Sequence, residues 1–343
     1  MLISEFDYDL PEELIAQKPP EKREESRMLS VDRTDGSLRD LLFTDFPHLI
    51  TENDVLVVNN TKVFPARLIG RSETGAKIEL FLVDELEEKI WMTLAKPVRR
   101  LKPGKRVLFG DDLSAVIREI TAEGRVKAEF ECEGGFEEAL DAIGRTPLPP
   151  YIKREGSDPD SDRRRYQTVY AKYRGSIAAP TAGFHFTQEI IERVKKSGAA
   201  FEEITLHVGY GTFEPVRVDD LAEHAVQPEM FSIDAAVAER LNAAKEQGKR
   251  IVAVGTTTTR ALETCVSRHG EFTAGAQTAN LTIIPGYNFK AIDALLTNFH
   301  LPKSSLLVLV STFGGHELIM NAYRHAVSER YRFYSYGDCM FVS

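Results

Sequence analysis

From about Ala66 to Glu131 the chain presents six short apolar or alternating segments in succession. They read ARLIGR, AKIELFLV, KIWMTLAKPV, KRVLFG, SAVIREI and RVKAEFEC, separated by glycine, aspartate and charged turns. Alternation with period two puts the apolar side chains on one face of each strand. Six such strands in a row predict a small antiparallel β-barrel. The amphipathic stretch Phe136–Ile143 and the rigid RTPLPPYI close the unit, with Pro149-Pro150 as an extended connector.

The sequence on either side has a different rhythm. Val55–Val58 is a short buried-strand pattern, and Phe201–Val208 and Ile251–Val254 are two more. Thr187 opens a helix with Glu189 in its first turn. Asp234 opens another that ends at Gly248, and Thr256 or Thr257 caps a third. Alternating strand and helix implies an α/β domain, with a mainly parallel sheet covered by helices on both faces. The expected organisation is therefore a discontinuous α/β domain, residues 1–65 and 155–343, interrupted by an inserted barrel at 66–154.

Composition narrows the function. No apolar run approaches the 18 or so residues of a membrane span. The acidic start, MLISEFDYDLPEEL, lacks the features of a secretory signal. Cys132, Cys265 and Cys339 form no CxxC pair, so a disulfide framework and a zinc cluster are not expected, and a reducing cytoplasm fits. The net charge of −9 speaks against broad nucleic-acid binding. A local patch is still available in Lys96–Arg106 and in Lys153–Arg165, which ends in Arg163, Arg164 and Arg165. Those three arginines are the candidate RNA contacts.

Several polar segments sit where strands end and helices begin. VVNNTKVFPAR supplies Asn60, Lys62 and Arg67 after a buried strand, where α/β proteins commonly bind ligands. SIAAPTAGFHFT supplies Thr181, Gly183 and His185 before a helix start, whose amides can hold an anion. LHVGYGTFEPV supplies His207, Gly209 and Gly211, but it is not a GxGxxG fingerprint. VGTTTTR supplies Thr256, Thr257 and Arg260 as an anion cradle without the lysine of a P-loop. IDALLTNFHLPKSS carries Asp293, Asn298 and His300 as candidate acid, base and hydrogen-bonding groups. YRFYSYGDCM joins Asp338 to an aromatic strand that could stack on a base. Neither HExxH nor GxSxG occurs, and His224 with Glu229 lacks further ligands, so no metal is expected.

In chain order, NNTKVFPAR, RYQTVYA, APTAGFHFT, LHVGYGTFEPV, VGTTTTRALE, PGYNFKAIDALLTNFHLPKSSLL and YRFYSYGD resemble the S-adenosylmethionine:tRNA ribosyltransferase-isomerases of queuosine synthesis. The resemblance implies an α/β domain interrupted by a barrel. It also implies transfer of the ribosyl group of S-adenosylmethionine, a co-substrate, to 7-aminomethyl-7-deazaguanine at the tRNA wobble position. Adenine and methionine leave, and the product is epoxyqueuosine. No permanently bound cofactor is implied. Where the family tends to read HNMHAE, this chain has His224-Ala225-Val226-Gln227-Pro228-Glu229, without the second histidine. A sulfonium acidifies the C5′ protons, adenine leaves better protonated, and the attacking amine must be neutral. His185, His207 and His300 suit such proton traffic, with Asp293 and Asp338 as orienting or replacement groups. Two rival readings are an S-adenosylmethionine-dependent RNA methyltransferase and a non-catalytic RNA-binding protein built on the barrel.

Overall fold

The structure is a computed structural model and describes residues 1–153 and 159–343. The expected domain boundary at 154/155, and residues 154–158 of the second basic segment, lie outside the described residues.

A nine-stranded sheet forms the body of the molecule. At its centre four neighbours, Ala200–Leu206, Asp54–Asn59, Arg250–Val254 and Ala294–Asn298, run parallel. Asp54–Asn59 and Ala294–Asn298 are buried at every position, as strands covered on both faces must be. Their alternate residues feed two separate cores. Val55, Val57, Ile251, Ala253 and Leu295 pack against the helices Ala235–Glu246, Thr256–His269, Ser305–Gly314 and His316–Ser328. Leu56, Val58, Val252, Val254 and Leu296 pack instead against Gln188–Lys196 and the phenylalanines Phe43 and Phe46. Antiparallel pairings occur on the flanks. Glu229–Ile233 and Gly275–Ala279 extend one side. On the other side Cys339–Val342 runs antiparallel to Ala294–Asn298 and parallel to Arg27–Val31, and Leu38–Leu42 forms the edge.

The six expected barrel strands are present as Arg67–Ser72, Lys77–Glu87, Ile90–Lys96, Arg106–Leu108, Leu113–Ile120 and Arg125–Cys132, and they close into one antiparallel barrel. Leu68, Leu80, Trp91, Val107, Ile117 and Phe130 fill its interior as a core distinct from the sheet's two. The chain leaves the sheet through Thr61–Val63 and returns through Tyr173–Ser176. These two segments pair in parallel and make a neck between the two units. The helix Phe136–Ile143 lies where its pattern predicts.

Two local expectations change. The third α/β helix is not capped by Thr256 or Thr257: Gly255 occupies that position at φ +93°, with no side-chain cap. The chain turns so sharply there that only glycine avoids strain, and both threonines fall inside the first turn. The aromatic segment from Tyr331 is not a strand until Cys339. Asp338 prevents an earlier ladder, because its two carboxylate oxygens accept the amides of Arg27 (2.9 Å) and Arg332 (2.8 Å) and fold the segment back on itself.

Candidate active site

The carboxyl ends of the central strands open onto one cleft, where α/β folds place ligands. Its first lobe is walled by Thr181, Val208, Thr256, Thr297, Asn298 and His300, with Tyr334 and Ser335. Its second lobe is walled by Gly211, His224, Glu229, Thr257, Arg260 and Thr282. Each lobe spans about 560 Å³ of space, the open solvent at its mouth included. Thr212, Thr256, Thr257 and Leu306 belong to both and form the saddle between them.

The saddle follows from local chemistry. Thr258 and Thr259 turn their hydroxyls back to the carbonyls of Val254 (2.8 Å) and Gly255 (3.1 Å), and both are buried. Thr256 and Thr257 are left facing the cleft at the amino end of a 14-residue helix, whose first amides have no partner within the helix.

In the first lobe a relay of hydrogen bonds fixes Asn298. The Ser26 hydroxyl donates to the Arg23 carbonyl (3.0 Å), so its oxygen accepts from His185 Nδ1 (2.8 Å). His185 Nε2 is then an acceptor, and it faces Asn298 Nδ2 at 3.4 Å. The same amide nitrogen donates to the Tyr334 carbonyl (3.0 Å). Asn298 Oδ1 is buried and has no partner. An unsatisfied acceptor in a ligand cleft is costly unless a ligand donor meets it. Burial, reinforced by the nearby Arg23, pushes the His185 pKa down to about 3, so the ring is neutral.

His300 is also neutral, pushed down to about 3 by burial. Its backbone amide donates to the Tyr323 hydroxyl (3.0 Å), which lies 3.3 Å from His300 Nδ1 and is assigned as the donor there. The remaining proton therefore sits on Nε2, on the side of Thr297 Oγ1 (3.4 Å).

The second lobe is charged. Glu229 is 5% exposed. Its Oε2 accepts from Arg260 Nη1 (2.6 Å) and its Oε1 from the Gly209 amide (3.0 Å). Arg260 also donates to the carbonyls of Gln227 (3.1 Å) and Ala279 (3.2 Å). Burial raises the Glu229 pKa while Arg260 opposes that rise. His224 Nε2 is buried without a partner in this lobe. Sequence reasoning weighed His224 and Glu229 only as metal ligands. Their value lies in pairing with Arg260 and Gly209, contacts made between segments that no local spacing reveals.

The structure therefore brings together Thr181, His185, Asn298, His300, Thr256, Thr257, Arg260, Gly209 and Gly211. Gly183 lies beneath this wall, where an added Cβ would meet the Tyr170 hydroxyl at 2.1 Å. Other candidates are held elsewhere. Asp293 precedes the strand whose far end carries Asn298, roughly 15 Å away along the strand. There it accepts the Ile251 amide (2.8 Å) and pairs with Lys245 (3.6 Å). Asp338 is committed to the two amides described above. Asn60 is tied to Glu203 (3.0 Å) and Thr205 (2.7 Å). Lys62 is exposed. His207 lies behind the cleft wall, with Nδ1 2.9 Å from Thr61 Oγ1, and burial lowers its pKa. Arg67 lines a separate groove between the barrel and Tyr210–Phe213. The basic triplet divides: Arg163 reaches the carbonyls of Asp141 and Gly144, Arg164 is exposed, and Arg165 reaches those of Pro20 and Glu21. Among the described residues no group of three or more His, Cys, Asp or Glu side chains could hold a metal ion, and no helix is long and apolar enough to cross a membrane.

A family model described as queuosine biosynthesis protein matches residues 3–342. The chain belongs to that family. It is 48% identical to the S-adenosylmethionine:tRNA ribosyltransferase-isomerase of Symbiobacterium thermophilum, over all of both chains. It is equally identical to the enzyme of that name from Natranaerobius thermophilus, over 100% of this chain and 99% of the relative. The crystal structure of S-adenosylmethionine tRNA ribosyltransferase from Thermotoga maritima is 36% identical, with a TM-score of 0.56, covering 99% of this chain and 100% of that one. The resemblance carried by the seven sequence segments thus extends along the whole chain, and the fold of a sheet domain with an inserted barrel agrees with it.

Proposed function

We propose that this protein transfers and isomerises the ribosyl group of S-adenosylmethionine onto 7-aminomethyl-7-deazaguanine at the wobble position of tRNA, acting in the cytoplasm and without a permanently bound cofactor. A bond forms to the aminomethyl nitrogen, and a new C–C bond to C5′ closes the five-carbon ring. The ribose ring oxygen breaks one C–O bond and forms another to become the epoxide, while the bonds to adenine and to the sulfonium sulfur break. One proton passes to adenine and one is released, while the sulfonium charge is discharged as methionine leaves.

The observation that carries this reading is the two-lobed cleft. Its polar lobe and its charged lobe suit the two ends of one elongated, zwitterionic donor. A methionyl ammonium and carboxylate need an acceptor and donors together. Glu229, Arg260, His224 and the helix start at Thr256–Thr257 supply both signs in the second lobe. The first lobe is nearly uncharged and suits a nucleobase. Asn298 Oδ1 accepts from an exocyclic or aminomethyl nitrogen, and His300 Nε2–H donates to a ring nitrogen or carbonyl. With pKa values near 3, His185 and His300 are neutral at neutral pH and carry no imidazolium proton to serve as a general acid. His185 is assigned a positioning role, and His300 a neutral donor's. We also propose that the barrel, set between 1–65 and 155–343, is an inserted domain. The groove at Arg67, Phe81, Lys96 and Tyr210 on its inner side would face the RNA.

Incubation of the protein with S-adenosylmethionine and tRNA carrying the deazaguanine, followed by mass analysis of the RNA and small molecules, tests the reading. The expected products are epoxyqueuosine-containing tRNA, adenine and methionine. Release of S-adenosylhomocysteine, or turnover with unmodified guanine, would favour the methyltransferase reading instead.

A further inference from the structure

Beside the first lobe, across Ser335, lies a shallow recess open to solvent, lined by Arg23, Arg165, Ser26, His185, Pro20 and Gly337, among others. Its charge is one-sided. The Arg23 guanidinium donates to the carbonyls of Phe184 (3.2 Å) and Gln167 (2.8 Å). That of Arg165 donates to Glu21 (2.9 Å) and Pro20. Behind the recess Arg332 donates to the Lys18 carbonyl. All these acceptors are backbone carbonyls. Among the described residues none of the three arginines forms an ion pair, although ion pairs such as Arg260–Glu229 and Arg250–Asp54 are present elsewhere. The nearby carboxylate, Asp338, is held by two amides. Burial lowers the pKa of Arg23, with a smaller push from Arg165, and burial keeps His185 neutral, with smaller pushes from Arg23 and Arg332.

We infer that this recess is an anion subsite that seats a phosphodiester of the RNA, one adjoining the nucleotide whose base enters the first lobe. The inference rests on the proposed reaction in that lobe. A guanidinium has five N–H donors, and Arg165 uses only two of its nitrogens on carbonyls, so donors remain for a phosphate oxygen. Cationic contacts to phosphate position a nucleic acid without reading its sequence. Such a contact is compatible with a net charge of −9, because it needs only local positive potential. The other anion available to the site is the methionyl carboxylate of the donor. It comes with an ammonium group, and the recess offers that group no carboxylate, whereas the lobe at Glu229 does.

The test is binding of an anticodon stem-loop that carries the substrate base, measured across a salt series. Arg165→Gln should weaken binding about tenfold and reduce the slope of log affinity against log salt by about 0.7 to 0.9. Arg165→Lys should restore the slope. A stem-loop with a neutral methylphosphonate at the flanking phosphate, made separately on the 5′ and 3′ sides of the base, should bind wild type and Arg165→Gln alike for one of the two. Equal loss on natural and both neutralised RNAs overturns the assignment. So does a rise in KM for S-adenosylmethionine with RNA affinity unchanged, which would reassign the recess to the carboxylate. Absence of any modified product with wild-type protein would strike the reaction and leave the binding measurement to decide the subsite.

Discussion

Two neutral imidazoles buried beside the cleft make the protein acid-sensitive by a calculable amount. His185 and His300 are 2% and 5% exposed, with pKa values lowered from 6.5 to about 3. In the unfolded chain each titrates near 6.5. Between these values the unfolded state binds a proton that the folded state refuses, so stability falls as pH falls and is fully present only above about 6.5. From pH 7.5 to 5.0 the linkage relation gives a loss of about 2 kcal/mol per ring, or about 4 kcal/mol for the two. His300→Gln removes one titration while keeping a hydrogen-bonding side chain. Urea unfolding of wild type and variant at both pH values isolates the term, since carboxylates contribute equally to each. The variant should lose about 2 kcal/mol less than wild type over this interval, whatever its stability at pH 7.5. If the two lose the same amount, His300 titrates normally in the folded protein. The burial-lowered pKa assigned to its ring would then be wrong.

Two further outcomes follow from the cleft. Asn298→Ala removes the unsatisfied acceptor and should lower kcat/KM about tenfold. His185→Gln should act in the same direction, and the double variant should fall well short of the product of the two effects, because the ring works through the amide. Fully multiplicative effects, with unchanged thermal midpoints, would separate the two residues. Glu229→Ala strands the buried Arg260 guanidinium and should cost about 3–5 kcal/mol in urea unfolding. Adding Arg260→Met should recover part of that loss, and simple additivity would show that the pair is not coupled.

The sequence determined more about architecture than about roles. Period-two alternation specified all six barrel strands, because each strand buries one face in a core of its own. The continuous apolar runs at Val55–Val58 and Ile251–Val254 announced strands covered on both faces. The flanking strands Arg27–Val31 and Cys339–Val342 are not legible in the sequence. Each is short, and they become a ladder only by pairing across more than 300 residues of chain. The cap at Gly255 was misjudged because threonine is a good local cap, while the strand-to-helix turn imposed a positive φ that threonine avoids. At the site, residue type proposed the candidates and tertiary packing sorted them. Asp293 and Asn298 stand five positions apart in sequence, yet a strand carries them to opposite ends of the sheet. His185 and Asn298 are 113 positions apart and meet at 3.4 Å. Arg163 and Arg165 look alike in the chain, but one reaches the helix beside the barrel and the other a one-sided cationic recess. Local sequence fixes which face of an element is apolar. Only the folded chain decides which polar groups lose their water together, and that shared desolvation sets protonation states, pairs charges and leaves an acceptor for a ligand.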